Sequence, residues 1–179
     1  MKVLKFGGTS VGKPERMHQV AKLVTNERGR KIVVLSALSG TTNALVKIGE
    51  DLMRNDKDTA RAEVDNLYQH YKEFCDKLVS QPSSLEAATK VIDEHFNFIR
   101  SLLNVAFDDH FTKELLAQGE LMSTKLFSIY LAEAGYSNEL IPALEFMAID
   151  EYDEPNMAFI RKELNNMISK YPDQQLFVT

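Results

Sequence analysis

The first 35 residues run strand, glycine-rich turn, helix, strand, and that order leaves few folds open. Residues 2–6 (KVLKF) read as a strand in which the apolar Leu4 and Phe6 flank Lys5 and share one face. Paired glycines and two hydroxyl residues follow, and Pro14 stands where the first residue of a helix over 14–27 belongs, because its missing N–H has no partner there anyway. Met17, Val20, Ala21 and Val24 share one face of that helix, and Gly29 lies just past its end. Ile32 to Leu35 is then an unbroken apolar run, as expected of a strand covered on both faces. Two such strands joined through a helix form a βαβ unit, for which parallel pairing and a right-handed crossover are the default. The expected fold class is α/β, with an open, mostly parallel sheet and helices on both faces.

Beyond this unit the hydrophobic period changes. A small polar turn covers Ser36 to Asn43, with Thr41 or Thr42 as the N-cap of a helix whose Leu45, Ile48, Leu52 and Met53 recur at helical spacing. Helical patterns follow over 58–79 and 84–106, broken by the serines around Pro82, so a helical insertion of about 44–110 is expected to interrupt the α/β rhythm. That rhythm returns with a helix over 112–134, a strand near 138–142, a helix over 155–170 introduced by Asp153 and Glu154, and a last strand at 175–179. With 44% hydrophobic residues in 179, the chain can bury one real core.

Composition narrows the partners. The net charge is −5 and no basic run occurs, which argues against nucleic acid or an anionic membrane as partner. No stretch approaches the ~18 apolar residues of a membrane span, so the expectation is a cytoplasmic protein that acts on small molecules. The single Cys75 excludes an internal disulfide framework. The histidines lack metal-ligand spacing, and His70, His95 and the Asp108-Asp109-His110 cluster read as solvated or loop-facing.

Two places carry chemistry. The turn after the first strand has the layout of a phosphate cradle: Gly7 and Gly8 let backbone N–H groups approach phosphoryl oxygens, Thr9 and Ser10 add donors, and Lys5 adds a point charge. GGTSVGK fits the start of the P-loop pattern, but the next position is Pro14, which has no hydroxyl for a metal ion. The second place is Glu120. Spaced at about 100° per residue, it falls among Leu116, Phe127 and Leu131, opposite Glu114, Gln118 and Lys125, where a carboxylate needs a partner. A boundary residue reaching water and a carboxylate binding an amino-acid ammonium both satisfy that pattern.

Three separated segments, KFGGTSV at 5–11, VVLSALSGTTN at 33–43 and AQGELMSTKLF at 117–127, resemble the aspartate kinases of the amino-acid kinase superfamily, in the same order and with the helical insertion between them. The resemblance continues through LIPALEF to the final LFVT. It implies ATP with Mg²⁺ and L-aspartate as ligands and 4-phospho-L-aspartate as product, at the entry to lysine, threonine and methionine synthesis. Lys5 would stabilise the transferring phosphoryl group, Gly7, Gly8, Thr9 and Ser10 would bind the ATP phosphates, and Ser36, Thr42 and Glu120 would hold aspartate. The same resemblance places a second Gly-rich segment, an arginine for the substrate α-carboxylate, the adenine and metal sites and ACT regulatory domains after residue 179. The expectation is therefore that 1–179 is the N-terminal part of a longer catalytic chain that can assemble as a homo-oligomer, with negligible turnover by itself. A fusion with homoserine dehydrogenase, another kinase of the superfamily, and a binding module without catalysis are the alternative readings.

Overall fold

The computed structural model describes residues 1–179 and contains four parallel strands and eight helices. The first unit is β1 (Lys2–Phe6), α1 (Gly8–Val11), α2 (Pro14–Asn26) and β2 (Lys31–Leu35). The helical region is α3 (Thr41–Met53), α4 (Lys57–Leu78), α5 (Pro82–Leu102) and α6 (Asp109–Glu133). The last unit is β3 (Glu139–Leu140), α7 (Ala143–Phe146), α8 (Met157–Ser169) and β4 (Leu176–Val178). The sheet order is β1-β2-β4-β3, parallel throughout, with Lys5 opposite Val34 and Phe6 opposite Leu35.

Alternation across the pleat divides the core. Val33, Leu35, Leu176 and Val178 pack with α2 to α6 on one side, while Ile32, Ile141, Phe146, Ile168 and Phe177 pack with α7 and α8 on the other. Both faces are thus covered, and β2 is buried as its apolar run requires. β1 is an edge strand. Leu4 and Phe6 face the large core, whereas Val3 and Lys5 lie on the opposite face and are exposed. The α4–α5 pair belongs to the large core through Val64, Tyr71, Ile92 and Phe96. No helix is long and apolar enough to cross a membrane.

Several local expectations are corrected. Gly40, at φ 87°, is the N-cap of α3, because only a residue without a Cβ enters the left-handed region freely. Thr41 instead buries its side chain, its hydroxyl sharing a 3.0 Å hydrogen bond with that of Tyr71. Burial raises the pKa of that tyrosine, so it stays a neutral partner. The turn expected around Pro82 lies at 79–81, with Pro82 itself the first residue of α5, and Asp108 caps α6 by accepting from the N–H groups of His110 and Phe111. The acidic run does not start α8: Asp150 accepts from the N–H groups of Tyr152 and Glu154 in a turn closed by an Ile149–Pro155 bridge, and Asn156 caps the helix. Asp153 sits at φ 60° in that turn.

The largest correction concerns α6. It packs against the sheet and against α2, α3 and α5, so no side of it is uniformly polar. Gln118, assigned to the polar side, is buried. His95, expected in solvent, is buried beside it. Glu120, placed among apolar neighbours, is exposed, because its turn of helix faces the loop after β2 rather than hydrocarbon. Sums of hydrophobicity around a helix report one dominant buried face, and a central helix has none.

Candidate active site

The three segments meet at Ala37, a residue that no reading of the sequence singled out. Parallel pairing of β1 and β2 brings their C-terminal ends side by side, and the Ser36 N–H donates to Phe6 O at 3.1 Å. The chain after β1 turns at once into α1, held by Ser10 N–H donating to Gly7 O at 2.8 Å and by the fully buried Val11. A β-carbon on Gly8 would stand 2.8 Å from Ala37 O, and one on Gly12 would stand 2.4 Å from Ser39 Cβ. Glycine is therefore required so that the first loop can lie directly on the second. From the other side, a β-carbon on Gly119 would stand 2.8 Å from Ala37 Cβ and 3.1 Å from Thr41 Cγ2. Ser123 Oγ donates to Ser36 O at 2.8 Å, and the Ala37 N–H donates to Glu120 Oε1 at 3.3 Å. Ala37 thus presents its carbonyl to the first segment and its N–H and methyl group to the third.

Lys5 shares a sheet face with its register partner Val34, and Val34 lines a cleft of about 320 Å³ at the carboxyl ends of the strands. Glu120, Leu121, Thr124 and Lys125 of α6 form one wall, and Leu140 to Ala143 with Phe146 form the apolar opposite wall. Lys5 and Glu120 are both exposed toward solvent, and Gly7, Gly8 and Ser10 are half-buried. Thr9 and Thr42 are exposed in the first turns of α1 and α3. Ser36 is half-buried, its carbonyl engaged with Ser123. Arg16, not foreseen, clamps the first loop by donating from Nη1 to Thr9 O at 2.7 Å. No group of three His, Cys, Asp or Glu side chains converges on a point that could hold a metal ion. Cys75 is buried, which pushes its thiol up to about 12 and leaves it a packing residue.

Behind the cleft wall lies a buried polar chain. His95 Nδ1 is 2.6 Å from Gln118 Oε1, and His95 Nε2 is 2.9 Å from Lys125 Nζ. Burial is the main cause that lowers the His95 pKa below 6.5; the bond to Gln118 opposes it, and the charge of Lys125 adds to the lowering. The unfolded chain therefore binds a proton that the folded one resists, and stability should fall as pH drops below about 6.5. Thermal melts from neutral pH to about 5.5 should show this fall in the wild type and a smaller one in His95→Gln. Equal slopes in the two proteins would remove His95 as its source.

Comparison with known proteins places the chain in a family and matches its fold. The model of the amino acid kinase family matches residues 1–175. Aspartokinase 3, chloroplastic, of Arabidopsis thaliana is 36% identical over 86% of this chain, and the lysine-sensitive aspartokinase 3 of Escherichia coli is 31% identical over 73% of it. The matches span 28% of each of those two relatives. The crystal structure of E. coli aspartokinase III in complex with aspartate and ADP superposes with a TM-score of 0.80 at 24% identity, over 99% of this chain and 40% of that one.

Proposed function

Because the chain belongs to the amino acid kinase family, we propose that it carries the amino-acid-binding and phosphate-facing part of a site that transfers a phosphoryl group from ATP to the β-carboxylate of L-aspartate, giving ADP and 4-phospho-L-aspartate. One observation supports this above the others: the loops after β1 and β2 and the Glu120 turn of α6 are locked together at Ala37 through glycine contacts that admit no side chain. Such a lock fixes two loops and a carboxylate with respect to one another, which positioning catalysis requires.

A carboxylate needs no deprotonation before it attacks phosphorus, so the protein's task is to orient and to neutralise. In this reading the N–H groups of Gly8 and Thr9 and the hydroxyls of Thr9 and Ser10 donate to phosphoryl oxygens at the close-packed loop, the Ser10 N–H being taken by Gly7 O. Lys5, on the cleft face of the edge strand, offsets the charge that accumulates between donor and acceptor. Glu120 holds the α-ammonium of aspartate, and Ser36 and Thr42 contribute the polar rim. Gly8 and Gly12 are taken up by their close approach to Ala37 and Ser39, so the phosphate role assigned to this loop rests on its N–H and hydroxyl donors. Mg²⁺ would neutralise those oxygens when bound, but no cluster of three carboxylates or imidazoles is present to hold it, and no residue named here is assigned to it.

The test is Glu120→Gln in an active enzyme that includes residues 1–179. Glutamine keeps the shape and an acceptor oxygen for Ala37 N–H but removes the charge that faces an ammonium. KM for aspartate should rise about tenfold while KM for ATP and the melting temperature stay within error. An unchanged KM for aspartate would reduce Glu120 to a loop-pinning residue.

A further inference from the structure

A hydroxyl of the helical insertion meets the loop after β2. Tyr71 of α4 is fully buried, its ring edge-on to Phe96 with centroids 5.7 Å apart, and its hydroxyl is paired with that of Thr41 at 3.0 Å. Packing alone does not call for this hydroxyl, because phenylalanine would fill the same hydrocarbon space and bury no polar atom. What the hydroxyl adds is a hold on Thr41.

Thr41 stands at a junction. It is 1% exposed, follows Gly40 at φ 87° and precedes Thr42 in the first turn of α3. On the α6 side, its Cγ2 lies 3.1 Å from where a β-carbon on Gly119 would stand, beside the Ala37 methyl at 2.8 Å. On the α4 side, its hydroxyl is taken by Tyr71. A threonine in a helix has another acceptor within reach, the carbonyl three or four residues back, which here belongs to Leu38 or Ala37. Turning the hydroxyl there would swing the methyl group off Gly119, since both are borne on one Cβ. Tyr71 therefore selects one rotamer of Thr41, and through it the seat of the loop on α6.

That loop matters to the site at both ends. Ser36 and Thr42 are two of the groups assigned to aspartate, and the Ala37 N–H between them holds the third, Glu120. The phosphate loop is anchored separately, by Arg16 on Thr9 O and by the buried Val11. A shift of the β2 loop by a fraction of an ångström would thus fall on the amino acid more than on the nucleotide.

We propose that Tyr71 is a positioning residue: its hydrogen bond to Thr41 holds the loop after β2 in the form that receives the amino-acid substrate. The proposal rests on the assignment of aspartate to Ser36, Thr42 and Glu120. It gives the helical insertion a part in substrate binding.

Four variants of an active enzyme that includes residues 1–179 test it: Tyr71→Phe, Thr41→Ser, the double variant Thr41→Val/Tyr71→Phe, and Glu120→Gln. Tyr71→Phe should raise KM for L-aspartate about fivefold, the worth of one neutral hydrogen bond, while KM for ATP stays within error. Amide hydrogen exchange without ligand should speed up over 38–42 in the same variant. Thr41→Ser keeps the hydroxyl, so its KM should stay close to that of the wild type. The double variant leaves no buried hydroxyl unpaired, and its melting temperature should recover most of what Tyr71→Phe loses. Its KM for L-aspartate should remain raised, because the tether is still absent. A purely structural role would make KM follow the melting temperature instead. Recovery of KM in the double variant, or unchanged exchange in Tyr71→Phe, would overturn the proposal. If Glu120→Gln raises KM for L-aspartate and Tyr71→Phe does not, Tyr71 alone loses its role. If neither substitution moves it, the assignment of aspartate to these loops has failed, and the proposal falls with it.

Discussion

For the proposed phosphoryl transfer to aspartate, Lys5→Ala should lower kcat by roughly 10²-fold or more, with a much smaller change in KM for aspartate. The lysine stands on the cleft-side face of an edge strand and is exposed, with no ion-pair partner in the fold. Its removal therefore takes little from stability, and the melting temperature should stay within about 1 °C, as for surface substitutions generally. What it takes away is charge stabilisation where two anionic groups approach, an interaction that strengthens as the phosphoryl group moves. Lys5→Arg keeps the charge but spreads it over a planar fork with a different reach, so activity should recover only in part. Steady-state kinetics on the three proteins with both substrates varied decide the matter. A Lys5→Ala enzyme with normal kcat and raised KM for ATP would make the lysine a ground-state anchor for nucleotide.

The order of elements was legible because it rests on local rules. A continuous apolar run for β2 and Pro14 at a helix start each have a single physical reading and hold in the structure, whereas β1 alternates only in that Leu4 and Phe6 face the core while Val3 is exposed. The candidate residues stand out by type, glycines beside hydroxyls after a strand and a carboxylate that helical spacing puts on an apolar side, and that second placement fails because α6 has no single buried face. What stayed hidden depends on packing between distant segments. Ala37 has no chemistry of its own, and its importance comes from standing within van der Waals range of Gly8 and Gly119. His95 and Gln118 read as polar surface because each is polar alone; only their mutual satisfaction makes them interior residues. Gly40 took the cap assigned to its threonine neighbours because the left-handed turn and the Thr41–Tyr71 hydrogen bond, between partners thirty residues apart, act together.

The two helix-interior glycines Gly49 and Gly119 offer a test in which one substitution should give opposite signs. Alanine is favoured over glycine inside a helix by about 1 kcal/mol when nothing obstructs the new methyl group. At Gly49 in α3 the nearest atom to that methyl is Leu115 Cδ2 at 3.5 Å, an ordinary contact with a flexible end. Gly49→Ala should therefore stabilise, raising the melting temperature by about 2–4 °C for a chain of this size. At Gly119 the methyl would stand 2.8 Å from Ala37 Cβ, which sits directly on backbone, and 3.1 Å from Thr41 Cγ2. Forcing those apart costs on the order of 1–3 kcal/mol, which outweighs the helix preference in most of its range. The displacement also falls on the residue whose N–H holds Glu120, so aspartate affinity should drop along with stability. Melting temperatures and aspartate binding of the two variants, measured side by side, read both effects. Gly119→Ala with unchanged affinity and a raised melting temperature would mean that the loops yield at Ala37, and the lock proposed to hold the site together would not be a lock.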